Sequence, residues 1–177
     1  MPPGRSLSEG QARQYGALPA FCRVAATLTP SSDSDIKVEV WMPAEGWNGK
    51  LQAVGNGAFT GSLRYGGGRS MASGLERGYA TASTDTGHVG GGAEFGYEHP
   101  EKMVDFGWRS VHEMTVTAKD VIAAFYGDGP EHSYWFGCSA GGRQAMKEAQ
   151  RFPEDYDGII AGAPGNDWMG RAAGSLR

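Results

Sequence analysis

A parallel α/β sheet with crossover helices is the fold class this sequence predicts, on three observations. Short apolar strand-like runs alternate with helix-like stretches from residue 51 to residue 161. Glycine collects where those runs end, in 55–68, 87–96 and 137–142. The hexapeptide Gly137-Cys138-Ser139-Ala140-Gly141-Gly142 stands between an aromatic strand-like run and a helix-like run.

Each element follows from its own pattern. Residues 1–18 are polar and aperiodic and read as a loose leader, which leaves 19–177 as one domain. Ile36, Val38, Val40 and Met42 alternate with Lys37, Glu39 and Trp41, the period of a half-buried strand. A turn over 43–49 leads into a short strand at 51–54, so these two strands read as an opening hairpin. Residues 70–77 suit a short helix that stops at Gly78. A strand at 79–83 follows, ending in Thr84-Asp85-Thr86-Gly87-His88, and a polar glycine-rich loop runs to about Phe106. Val111, Thr115, Ala118, Val121/Ile122 and Phe125 recur at helical spacing and predict a helix over 108–126. A strand at 133–137, a helix at 141–152 and a strand at 157–161 complete the series.

Composition narrows the function classes. At 177 residues the chain is long enough for one domain with a real core and too short for two. A formal charge of −4 leaves no basic footprint for nucleic acid. No apolar run approaches the roughly 18 residues of a membrane span, and the N-terminus lacks the apolar segment of a signal peptide. The residue spacings of zinc sites are absent, so no metal is expected, and nothing sets an oligomeric state. Two cysteines, Cys22 and Cys138, are too few for a disulfide framework.

The hexapeptide fits G-x-S-x-G, the nucleophile elbow of α/β-hydrolases, in which a tight strand-to-helix turn lifts one serine hydroxyl clear of the sheet. The predicted core is therefore an α/β-hydrolase core with Ser139 as nucleophile. Gly137 and Gly141 supply the small flanks the turn requires, and Ala140 supplies one oxyanion donor through its backbone N–H. The second donor is expected from the loop after the strand at 51–54, at Gly57 or Ala58. Glycines 55, 57 and 61 miss the dinucleotide fingerprint by one residue, so that reading is set aside. In this fold the triad runs serine, acid, histidine, yet His88, His99, His112 and His132 all precede Ser139. The acid and histidine of the triad are thus expected beyond Arg177. Asp85 and His88 suit a loop-fixing hydrogen-bond pair better than a proton relay, and His112 a packed or surface histidine. The five tryptophans read mostly as anchors, though one or two could line an aromatic pocket. Cys138 reads as a small buried hydrophobe, a reactive thiol or half of a disulfide.

Several stretches closely resemble the tannase and feruloyl esterase family. They are residues 36–43, Trp47-Asn48-Gly49-Lys50, Val54-Gly55-Asn56-Gly57-Ala58-Phe59, residues 77–88, His99-Pro100-Glu101-Lys102, Asp105-Phe106-Gly107, Val111-His112-Glu113-Met114-Thr115, and 137–158. Together they cover nearly everything from Pro19 to Trp168. The resemblance implies a serine esterase that acts on aromatic esters such as feruloyl or galloyl esters through an acyl-enzyme on Ser139. It implies that Cys138 matches a cysteine bonded to a second one beside the catalytic histidine, a partner without counterpart here. Family members are several hundred residues long, carry a lid domain after the strand at 157–161, often with a structural calcium ion in that lid, and are usually exported. The chain therefore reads as an α/β-hydrolase core truncated before the lid and the acid- and histidine-bearing strands. No other cofactor is implied. A truncated relative that binds aromatic esters or another chain without turnover is the rival expectation.

Overall fold

The computed structural model describes residues 8–68, 70–167 and 174, without the side chain of Gln11; residues 1–7 of the leader and Trp168 lie outside the described residues. Among the described residues six strands form one mixed sheet: β1 (Phe21–Leu28), β2 (Ile36–Pro43), β3 (Lys50–Val54), β4 (Ala80–Thr84), β5 (His132–Cys138) and β6 (Gly158–Gly162), in the order β1-β2-β4-β3-β5-β6. β3, β4, β5 and β6 are parallel, while β2 runs antiparallel to both β1 and β4.

Among the described residues five α-helices accompany them: α1 (Glu9–Gly16), α2 (Met71–Leu75), α3 (Pro100–Val104), α4 (Ser110–Tyr126) and α5 (Ala140–Arg151). Two apolar layers fix where they lie. Ile36, Val38, Val40 and Met42 of β2 pack with Val111, Met114, Ala118 and Ile122 of α4 and Ala145 of α5. On the other face Trp41 and Val54 pack with Met71, Ala72 and Leu75 of α2, and Tyr15 and Leu18 lean on that layer. Alternation along β2 thus feeds both layers, because helices cover both faces of the sheet.

Several expectations are corrected. β2 and β3 do not form a hairpin: β4 lies between them, paired with both. β1 is a strand absent from the sequence reading, and the leader holds α1. Glu39 is buried rather than on a wet face, and its carboxylate accepts hydrogen bonds from Arg23, Trp41 Nε1 (2.8 Å) and Tyr65 Oη (2.7 Å). The helix expected from residue 108 begins at Pro100, with a π-helical turn at Asp105–Arg109 joining α3 to α4. Ser70 caps α2 reciprocally with Ser73, as the sequence Ser-x-x-Ser allows.

Candidate active site

The parallel strands all deliver their C-terminal ends to one edge. The connection from β3 to β4 leaves to one side and β5 lies on the other, so the loops after β3 and β5 flank a topological switch point, the usual location of a site in open α/β sheets. Backbone strain collects on this edge. Ala58 after β3, Thr86 after β4, Ser139 after β5 and Ala163 after β6 all have positive φ without being glycine.

Ser139 occupies the turn between β5 and α5 with φ 61° and ψ −117°. Its N–H donates to the Gly162 carbonyl (3.0 Å), and its own carbonyl accepts from the N–H groups of Arg143 and Gly165 (3.0 Å each). The turn closes only because its neighbours lack side chains. A Cβ on Gly137 would stand 2.1 Å from the Gly141 carbonyl oxygen, one on Gly142 2.4 Å from the Gly162 oxygen, and one on Gly55 2.6 Å from Gly141 Cα. Of the two glycines expected to flank the serine, Gly137 has no room for a Cβ, while one on Gly141 would come no nearer than 3.1 Å to the Asn56 carbonyl oxygen. Gly55 and Gly142 share the steric role of Gly137.

A cavity of about 440 Å³ opens over the turn, lined by Ser139, Cys138, Phe136, Gly57 and Arg64 among others. Gly57 borders it and Ala58 is not among its lining residues, which favours Gly57 of the two expected donors. Ala140 is the first residue of α5, where helix geometry leaves the N–H without an intrahelical acceptor. None of the described tryptophans lines this cavity.

Two residues that the sequence reading passed over hold the loop against the elbow. Gln144 is fully buried; its Oε1 accepts from the Asn56 N–H (3.1 Å) and its Nε2 donates to Asn56 Oδ1 (3.2 Å). Asn56 Nδ2 donates onward to the carbonyls of Thr84 (2.9 Å) and Ser62 (3.0 Å), while the Asn56 carbonyl accepts from Gly141 N–H (2.9 Å). Asn56 thus ties β3, β4 and α5 together one residue before Gly57. Replacing Gln144 by leucine strands two buried polar groups of Asn56, and an unpaired group costs about 1–3 kcal/mol. Q144L should therefore lose roughly 2–4 kcal/mol in urea unfolding. Arg143, the preceding residue, donates to the carbonyls of Phe106 and Gly107 (3.1 Å each), anchoring α5 to the π-helical turn.

The histidines are engaged away from Ser139. His88 bonds the Phe59 carbonyl (2.7 Å) and Thr86 Oγ1 (3.3 Å). His99 pairs with Asp33, His112 with Asp155 and His132 with Asp157. Asp85 and His88 both fix loops, but through separate bonds rather than with each other: Asp85 Oδ1 accepts from the N–H groups of Lys37 (2.9 Å) and Gly87 (2.8 Å). Burial pushes the Asp85 carboxyl up to about 6 against those two bonds. A raised folded value means stability is fully present below the ordinary carboxylate range and is lost as pH rises through about 6. Some two pH units correspond to roughly 3 kcal/mol. Urea unfolding across pH 4 to 7 should show this decline, and Asp85→Asn should flatten it.

Both cysteines are free. Cys22 on β1 and Cys138 on β5 are four strand positions apart, about 19 Å at ~4.8 Å per strand, far beyond disulfide reach. Among the described residues no helix is long and apolar enough to cross a membrane.

Known proteins resemble this chain in sequence and in fold. An uncharacterised esterase of Xanthomonas campestris is 46% identical over 88% of the chain, and a probable feruloyl esterase B-2 of Aspergillus flavus is 40% identical over 84%. The chain spans about a quarter of the length of these relatives, 27% and 28% respectively. The crystal structure of feruloyl esterase B from Aspergillus oryzae superposes with a TM-score of 0.77 at 40% identity, over 81% of this chain and 28% of that one. Tannin acyl hydrolase from Aspergillus niger follows at 0.67 and 26%, over 84% and 28%. Brefeldin A esterase, at 17% identity and a TM-score of 0.55, shares the fold. Residues 22–176, which include the elbow, the Asn56 loop and every strand but the first residue of β1, match the family of tannase and feruloyl esterase. The chain belongs to that family.

Proposed function

We propose that Ser139 is the nucleophile of a serine carboxylic ester hydrolase acting on aromatic esters of the feruloyl or galloyl type. The observation that carries this reading is the strained serine itself, at the mouth of a cavity with Gly57 on its rim and the start of α5 behind it. Its Oγ attacks the ester carbonyl. The carbonyl oxygen takes negative charge facing the N–H groups of Ala140 and Gly57, each such donor being worth about 10²–10³ in rate. The C–O bond to the alcohol then breaks, the alcohol leaves with the proton released by Oγ, and water hydrolyses the acyl-enzyme. The names of the relatives, feruloyl esterase and tannin acyl hydrolase, support the aromatic acyl group.

In this proposal none of the chain's four histidines serves as the triad base. All four histidines are committed elsewhere, and among the described residues β6 forms the sheet edge beside the elbow. Removing the base from a serine triad costs about 10⁶ in kcat. The chain by itself is accordingly expected to work on a single-turnover scale. Export from the cell, as the resemblance implies, belongs to the same proposal.

The test is a panel of methyl esters of ferulic, gallic and terephthalic acid beside methyl hexanoate, followed by acid release, with Ser139→Ala as control. The expected result is slow, Ser139-dependent release from the aromatic set. Faster release from the hexanoate contradicts the substrate class, and release unchanged in S139A contradicts the nucleophile.

A further inference from the structure

Three ligand-type side chains meet within the fold, apart from the Ser139 cavity. His112 stands in the first turn of α4, Glu148 in the last turn of α5, and Asp155 in the connection from α5 to β6. One ligand atom from each lies within 4.8 Å of the others. Glu148 is 0% exposed, and neither of its carboxylate oxygens meets a donor among the described residues. Asp155 is also buried, with Oδ2 2.8 Å from His112 Nδ1. Of the cations beside Glu148 in sequence, Lys147 donates to Gln150 Oε1 (3.1 Å) and Arg151 lies over the Trp108 ring at 4.1 Å.

A buried carboxylate without a hydrogen-bond partner is costly, and a second carboxylate beside it adds repulsion. The arrangement needs positive charge between the two. We infer that His112, Glu148 and Asp155 bind one divalent transition-metal ion of the zinc class. One imidazole with two carboxylates is a donor set such ions accept. With bonds of ~2.1 Å, ligand atoms around a tetrahedral ion stand about 3.4 Å apart, so small side-chain shifts close the cluster on the metal. The His112 ring is held by stacking on Phe152 (3.8 Å between centroids), and its side chain is 27% exposed, which leaves a way in for the ion and a place for water as fourth ligand. The ion staples the start of α4 to the end of α5, and so steadies the helix that Ser139 begins. The three ligands are 36 and 7 positions apart, a spacing that no short motif displays.

The experiment uses the 177-residue chain stripped with chelator, then titrated with Zn²⁺ at pH 7.5 by calorimetry and thermal melting, with Mg²⁺ as comparison. The expected result is one Zn²⁺ per chain, a Tm higher by about 5–10 °C at a hundredfold excess over Kd, and no response to Mg²⁺. Glu148→Gln should abolish both binding and the shift. His112→Asn, at a partly exposed position and so safe for folding, should weaken binding at least tenfold. An unchanged Tm with no saturable binding up to 1 mM Zn²⁺ overturns the site and leaves a proton shared by the two carboxyls as its occupant. Binding that survives in both variants overturns it as well, because the metal then sits elsewhere. Neither readout depends on ester cleavage, so the outcome is separate from that of Ser139.

Discussion

Alanine at Gly137 should cost about 3–5 kcal/mol and remove Ser139 reactivity with it, the largest stability loss expected of any single methyl added to this chain's elbow. The added Cβ would meet the Gly141 carbonyl carbon and oxygen at 2.3 and 2.1 Å, and the Trp135 indole nitrogen at 2.6 Å. Two of these are backbone atoms of the first turn of α5, which Gly141 N–H and Gln144 already fasten to Asn56. No side-chain rotation relieves the contact, so either β5 or α5 must move. Gly92 gives the contrast. There a Cβ would meet only the carboxylate of Glu94, the end of a flexible side chain on an exposed loop, and Gly92→Ala should lie within about 0.5 kcal/mol of the parent. Denaturant midpoints for the two variants, with circular dichroism to check the fold, measure the difference.

Ser139 itself should show opposite effects on stability and reactivity. Its φ of 61° and ψ of −117° are the mirror image of an ordinary extended conformation, open to glycine and strained for any residue with a Cβ. Such strain costs of order 1–3 kcal/mol. Ser139→Gly should therefore raise Tm by about 2–6 °C while abolishing acylation, and Ser139→Ala should abolish acylation with Tm near the parent. Comparing the two separates the loss of the hydroxyl from the release of the backbone. A Ser139→Gly variant no more stable than Ser139→Ala would mean that the turn is unstrained.

How much of this was legible in the sequence follows the range of each interaction. Gly137, Ser139 and Gly141 stand within five residues, so the turn they make could be read directly, and so could the strand before it and the helix after it. The clamp between Asn56 and Gln144 joins residues 88 positions apart. Only the burial of an amide on the inner face of α5 would have hinted at it. The start of the α3–α4 helical run was hidden for a local reason. The π-helical turn at Asp105–Arg109 breaks the 3.6-residue period, and Glu101, Lys102 and Gly107 look like loop residues. The false hairpin has a topological cause: β2 and β3 are adjacent in sequence, but β4 arrives later and takes the place between them. Glu39 was misplaced because alternation marks two faces without saying that α2 covers the second. The resemblance to tannases and feruloyl esterases was legible throughout, since its motifs are contiguous.

Reaction with a fluorophosphonate, followed by peptide mass spectrometry of the 177-residue chain and of Ser139→Ala, tests the central claim most directly. The expected result is a single slow adduct confined to the peptide that carries Ser139, absent from the alanine variant. A folded chain that labels equally without the serine would contradict Ser139 as the exposed nucleophile of the elbow.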